Sequence, residues 1–389
     1  MSISKIAAIT AEFNPLHNGH LKLIDRAKAL SPDLLIVILN GDFTQRGSIA
    51  LLDKYARARH AILAGADLVL ELPQVFGAAC AERFADGAVK LLAGIPAKEK
   101  ILAFGSEEGD LALLENAARI LDEEPIEVSV DLKELMDMGF SYPVARSRAF
   151  EAYAAAKGIK TADLTAPNNI LAIEYLRSIK KRGGVTPFTV KRTGAYDATT
   201  LDPEEPSASA IRSALNAEDK AQALACLPYF VANDLAEPQK DGLSPILLFK
   251  LSQMTAKELR AIADVKEGIE NRILRLAKES ADAESLVKAV SGKRYTEARI
   301  RRILTNATLG VSESLLKKAV AEPPYYKVLA LKKERTDALS HLSKAGRLLT
   351  GEEEARQSGI DAAVIDAKAH DLYRIAKGLP DLDDGMLLI

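Results

Sequence analysis

Four short apolar runs recur at nearly even intervals along the N-terminal part of the chain: KIAAIT (5–10), DLLIVILN (33–40), ADLVLELP (66–73) and KILAFGSE (100–107). Between them lie stretches with helical periodicity, HLKLIDRAKAL (20–30), LLDKYARARHAILAG (51–65) and a segment over roughly 81–92. Continuous apolar runs suit strands covered on both faces, and strand alternating with helix builds a parallel sheet. The cycle returns once more. NNILAIEYLRSIKKRG (168–183) reads as a helix with a basic end, and PFTVKRTG (187–194) has strand composition.

After the loop-rich LDPEEPSAS (201–209), the helix start AIRSAL and a proline-punctuated segment 227–245, the character changes to helix upon helix. A boundary near residue 225 is expected, with an α/β domain over 1–225 and a mostly α-helical one over 226–389; one large α/β domain with helical decoration is the alternative. No run approaches the ~18 consecutive apolar residues of a membrane span, and MSISKIAAITAEF lacks the zones of a secretory signal. A cytoplasmic protein without membrane contact is therefore expected. Cys80 and Cys226 lie far apart and suggest neither a disulfide framework nor a metal cluster, only small buried hydrophobes. The net charge of −2 leaves the class of partner open.

The chain has five histidines and places two of them, His17 and His20, around Asn18 and Gly19 in EFNPLHNGH (12–20). This segment falls where strand 1 hands over to the first helix, at the ligand-binding edge of an open α/β sheet, where unpaired helix N–H groups favour an anion. Gly19 would let phosphate oxygens approach the backbone, with His17 and His20 as donors at two points of a polyphosphate. HNGH is also the HxGH signature of the nucleotidyltransferases. The downstream PSASAIR (206–212), with Ser207 and Ser209 ahead of Arg212, fits that superfamily's second signature. Positioning and charge stabilisation would carry such chemistry, without a covalent enzyme nucleophile. SGKRY (291–295) is not a P-loop, because Val287 and Arg294 stand where glycine and a hydroxyl residue are required. HLSKAG (341–346) reads as a surface segment.

The whole chain resembles the bacterial tRNA(Met) cytidine acetate ligases, the TmcAL or YlbM-like proteins. The likeness runs from EFNPLHNGH through NGDFTQRG (40–47), LLDKYARARHAILAGADLVLELP (51–73), FGSE (104–107), PNNILAIEY (167–175), KRTGAYD (191–197) and PSASAIR to EGIENRI (267–273) and GKRYTEARIRRIL (292–304). It implies a Rossmann-like HxGH nucleotidyltransferase domain with a parallel sheet, followed by a mostly helical C-terminal domain that contributes to tRNA binding. The implied enzyme is a ligase forming carbon–nitrogen bonds. ATP, with Mg2+, and acetate would give acetyl-adenylate and pyrophosphate; the wobble cytidine of elongator tRNA(Met) would then take the acetyl group on N4 and release AMP.

Carried over by resemblance, the catalytic group is His17, His20, Ser209 and Arg212. The ATP site would comprise Thr10, Ala11, Glu12, Phe13, Asn14, Pro15, Leu16, His17, Asn18, Gly19, His20, Leu21, Lys22 and Leu23, then Gly105, an asparagine at Asn168 or Asn169, and the pair Lys191 and Arg192. Gly105 would let the nucleoside pass close to the backbone, and Arg192 offers a fork where Lys191 offers a point charge. Asp42, Gln45 and Arg46 follow strand 2 at the same sheet edge; the family usually carries asparagine where this chain has Asp42, whose carboxylate is unfavourable beside phosphates or acetate unless it meets Mg2+ or a cation. For tRNA, Lys288, Lys293, Arg294, Arg299, Arg301 and Arg302 gather around Tyr295 against one acid, Glu297. Two other readings compete: an adenylyltransferase for a small phosphorylated metabolite, and a nucleotide-binding RNA adaptor without catalysis.

Overall fold

The computed structural model describes residues 3–192, 201, 206–215, 220–235, 242–292, 294–380 and 385–389. Five parallel strands, β1 (Lys5–Ala11), β2 (Leu34–Asn40), β3 (Leu68–Leu72), β4 (Glu99–Ser106) and β5 (Thr186–Lys191), lie in the order 5-4-1-2-3. The first four are the apolar runs of the sequence. Side chains alternate between faces as strand geometry requires. Ile6, Ala8, Ile36, Ile38, Leu68 and Leu70 join one apolar cluster with the Ala81–Gly94 and Pro167–Arg182 helices. Ala7, Ile9, Leu35, Val37 and Val69 join the other, against the Asn18–Lys28 and Lys54–Leu63 helices. Each fully buried Ile, Leu or Val among them contributes about 1.5–3 kcal/mol.

The strand order reverses at β1, whose neighbours are β2 and β4. Crevices of doubly wound sheets open at that switch, outside the carboxyl ends of the two strands. Here those ends carry EFNPLHNGH and FGSE. The fold thus brings together two segments that are far apart in sequence.

Beyond residue 225 the chain is helical as expected, including Leu243–Ser252, Ala283–Val290 and Glu297–Leu309. It then returns to the sheet. β6 (Tyr326–Leu331) pairs antiparallel with β3, and the short β7 (Leu348–Leu349) and β8 (Leu387–Leu388) pair with β6. The same sheet is therefore completed from both sides of the expected boundary. All of β6 is buried, and Lys327 is tolerated there because its ammonium meets Glu71 at 3.1 Å and Glu352 at 2.6 Å. Lys54 completes the group, 2.9 Å from Glu71 and 2.7 Å from Glu352. Two cations and two carboxylates thus balance inside a dry interior, where an unpaired member would be costly.

Among the described residues no helix is long and apolar enough to cross a membrane, and no three His, Cys, Asp or Glu side chains gather as a metal site. Cys226 is buried as expected, whereas Cys80 is half-buried at the start of the Ala81–Gly94 helix.

Candidate active site

A cavity of about 580 Å3 opens at the switch point, lined by Thr10, Ala11, Glu12, Phe13, Asn14, His17, His20 and Leu23 of the first segment. His17 begins the Asn18–Lys28 helix with extended backbone, and its carbonyl accepts the His20 N–H at 2.8 Å. The His17 N–H donates in turn to His20 Nδ1 at 3.2 Å. That bond leaves the proton of a neutral His20 on Nε2. The two rings lie 3.8 Å apart between centroids, and Phe13 meets His20 edge-on at 5.0 Å. Phe13 has φ of 47°, a conformation costly for a non-glycine residue and one that clusters at functional sites.

Both imidazoles are held neutral. Burial, and then the charges of Arg192 and Arg212, push His17 down to about 3. Burial, His17 and Arg192 push His20 well below its ordinary range. The ring nitrogen His17 Nδ1 and the guanidinium Nε of Arg192 are buried without a hydrogen-bond partner among the described residues. Buried polar atoms are rarely left unpaired, and here both belong to residues that line the cavity.

The other predicted residues divide. Ser207 caps its helix, accepting the Ala210 N–H at 3.0 Å, whereas Ser209 accepts from Arg212 at 3.2 Å. Arg212 also donates to the Asn14 carbonyl at 2.8 Å, tying this helix to the HNGH loop. Gly105 lines the cavity, and a Cβ there would stand 3.1 Å from the Arg192 side chain, so its bareness makes room for that arginine. Lys191, by contrast, is exposed and does not line the cavity. Asn168 lines it, while Asn169 is turned to structure: it accepts from Glu108 N–H at 3.0 Å and donates to the Asp163 carbonyl at 3.2 Å.

Within the first segment, Pro15, Leu16, Asn18, Gly19, Leu21 and Lys22 are not cavity-lining. Leu16 is fully buried. The purpose expected of Gly19 also changes, because a Cβ there would meet the His17 ring at 3.1–3.2 Å. Its bareness accommodates the His17 imidazole.

Gln45 and Arg46 line the cavity with Thr44, Gly47, Ser48 and Ile49. Asp42 does not: it is buried beneath them, accepting from Lys54 N–H at 2.7 Å and from His370 Nδ1 at 2.8 Å. Burial opposes its charge, but His370, Lys54 and Arg57 outweigh burial and hold the carboxyl far below its usual range. The carboxylate that looked awkward beside phosphates is thus neutralised elsewhere.

Several supporting positions have a part that the sequence does not announce, although Glu107 and Arg57 lie within the motifs FGSE and LLDKYARARHAILAG. Glu107 caps the Pro167–Arg182 helix, accepting from Asn168 N–H at 3.2 Å, Asn168 Nδ2 at 2.6 Å and Asn169 N–H at 2.8 Å. Arg57, fully buried, donates to the carbonyls of Glu12, Asn40, Gly41 and Leu52 and so fixes the ends of β1 and β2. Three later helices add a further wall, including Leu243, Leu247, Val287 and Leu304.

In the basic stretch, Lys293 lies outside the described residues and Arg294 is exposed. The rest of the arginines are engaged internally. Arg299 sits over the Tyr295 ring at 4.8 Å and donates to the Asp264 carbonyl; Arg302 pairs with Asp264 at 3.1 Å. Arg301 pairs with Glu284 and Glu297 at 2.7 and 2.9 Å and lines the cavity.

The profile of HIGH nucleotidyl transferases matches residues 4–382. The tRNA(Met) cytidine acetate ligase of Caldanaerobacter subterraneus subsp. tengcongensis is 38% identical over 87% of this chain and 86% of its own. That of Clostridium acetobutylicum is 34% identical over 97% and 98%. The crystal structure of apo Thermotoga maritima TmcAL superimposes with a TM-score of 0.88 at 28% identity, covering 99% of both chains. The same protein bound to alpha-thio ATP gives 0.84 at 27% identity, again over 99% of both. The chain belongs to the HIGH nucleotidyl transferases and, among them, to the tRNA(Met) cytidine acetate ligase family.

Proposed function

We propose that this chain activates acetate with ATP and transfers the acetyl group to N4 of the wobble cytidine of elongator tRNA(Met). The observation that carries the reading is the pair of neutral imidazoles at a helix N-terminus, set between Arg192 and Arg212 at the switch point. In the first step an acetate oxygen attacks the α-phosphorus of ATP and the bond to the β-phosphate breaks, releasing pyrophosphate. His20 donates from Nε2 to phosphate oxygens, His17 from its ring, and the two arginines offset the charge gathering on the leaving group. Asn168, oriented by Glu107, holds the nucleoside near Gly105. In the second step the cytosine N4 attacks the acetyl carbonyl, the bond to the AMP phosphate breaks, and N4 gives up one proton.

Mg2+ characteristically reaches such sites on the phosphates with one or two carboxylates. Glu12, which lines the cavity and is steadied by Gln45 N–H at 2.6 Å, fits that part and would hold the ion, which supplies charge neutralisation. Residues 1–225 carry the nucleotide chemistry in this reading, and 226–389 contribute to tRNA binding. Arg294, Arg299, Arg301 and Arg302 are the described residues of the basic stretch that this reading gives to the tRNA; Tyr295 beside Arg299 supplies a stacking face.

The test is acetate-dependent conversion of labelled pyrophosphate into ATP in the absence of tRNA. Exchange that needs acetate supports the reading. Exchange that ignores acetate but needs a phosphorylated metabolite replaces it with the adenylyltransferase reading.

A further inference from the structure

The cavity has two kinds of wall. One is formed by strand ends and carries the nucleotide set. The second comes from the Leu243–Ser252, Ala283–Val290 and Glu297–Leu309 helices, with Leu247, Val287 and Leu304 as apolar surface and Glu284 and Arg301 as charged groups. The two walls are joined backbone to backbone. Gly47, at φ +78°, lies so close to the third of these helices that a Cβ would stand 2.4 Å from Arg302 N and 2.5 Å from Arg301 C. Thr305 seals the contact by donating to the Gly47 carbonyl at 2.8 Å.

ATP and acetate use one wall, yet the reaction proposed above requires a second nucleobase in the same cavity. A base flipped into a protein is held by stacking on its faces and hydrogen bonds along its Watson–Crick edge. Leu247, Val287 and Leu304 offer the faces. Glu284 accepts from Arg301 at 2.7 and 3.0 Å, and Glu297 takes the same guanidinium nitrogen at 2.9 Å, so the arginine is fixed while other N–H donors of its fork are left. A carboxylate accepts from the cytosine amine, and a guanidinium donates to the ring nitrogen and carbonyl beside it. Uracil presents a carbonyl in place of that amine and would be repelled.

We infer that Glu284 and Arg301 read the Watson–Crick edge of the acceptor cytosine, with Val287 and its apolar neighbours stacking on it. The inference rests on the function proposed above and gives Arg301 a base-reading part rather than a phosphate contact.

The test compares elongator tRNA(Met) with a transcript bearing uridine at the wobble position. Affinity for each is measured on the wild type, Glu284→Gln and Val287→Ala, with acetate-dependent exchange and acetyl transfer recorded on each preparation. An amide can face either base, so Glu284→Gln is expected to cut the preference for cytidine over uridine by about tenfold and to lower the ratio of transfer to exchange similarly. Val287 is packed in the core at the cavity wall, so alanine withdraws its apolar face without overfilling the interior or touching a charge and is expected to lower that same ratio. An unchanged cytidine preference and ratio in Glu284→Gln would overturn the assignment, as would undiminished transfer by Val287→Ala. Absence of acetate-dependent exchange in the wild type would instead overturn the proposed function itself.

Discussion

Replacing Glu107 by alanine separates nucleotide positioning from chemistry. Its carboxylate accepts three bonds at the start of the Pro167–Arg182 helix, two of them from Asn168. Loss of an N-terminal cap costs about 1–2 kcal/mol, which in a chain of this size lowers the melting temperature by about 1–2.5 °C. Freed of Glu107, the Asn168 amide must be ordered by ATP itself. Loss of a neutral hydrogen bond, about 0.5–1.5 kcal/mol, corresponds to a rise in KM for ATP of roughly two- to thirteenfold. Glu107→Gln keeps an acceptor and should fall between the two. The assay is pyrophosphate exchange over a range of ATP concentrations alongside thermal melting; kcat is expected to hold. A lowered melting temperature with an unchanged KM would show that Asn168 is not held for the nucleotide.

Other expectations follow from the same geometry. His20→Ala removes the proposed phosphate donor and should lower acetate-dependent exchange by about 10²–10³-fold while sparing tRNA affinity; wild-type exchange would sink the role given to the imidazoles. Lys54→Met leaves Glu71 and Glu352 with Lys327 alone and should cost about 3–5 kcal/mol by denaturant unfolding; a loss under 1 kcal/mol would mean the buried network is not charged as described. His370 is buried, which alone would lower it, but Asp42 raises it above its ordinary 6.5. Its contribution is therefore fully present below pH 6.5 and fades as pH rises through the folded value. The stability advantage of the wild type over His370→Gln should shrink as pH rises above 6.5; an advantage that grows with rising pH would contradict the pairing.

The parallel sheet was legible because strands buried on both faces must be apolar throughout, and β2, LLIVILN, has no other reading as convenient. β6 was not legible. YKVLAL follows a long series of helices, and its lysine signals solvent until Glu71 and Glu352 are seen around it. Arg57 and Lys54 escaped for the same reason, since a charged residue on an amphipathic helix reads as its wet face. At the site, His17, His20, Ser209 and Arg212 could be named because HNGH and PSASAIR are local patterns, and Gly105 and Arg192 because FGSE and KRTGAYD carry the family resemblance. Glu107 as a cap, Asp42 as the partner of His370 and the apolar helical wall depend on contacts between distant segments, which no spacing announces.

The most direct trial of the account is to incubate the protein with ATP, Mg2+, labelled acetate and either elongator tRNA(Met) or another tRNA, then digest the RNA and look for labelled N4-acetylcytidine. The account predicts label in elongator tRNA(Met) alone, with AMP formed in step. Neither label nor AMP would contradict it and return the chain to nucleotidyl transfer onto a small molecule.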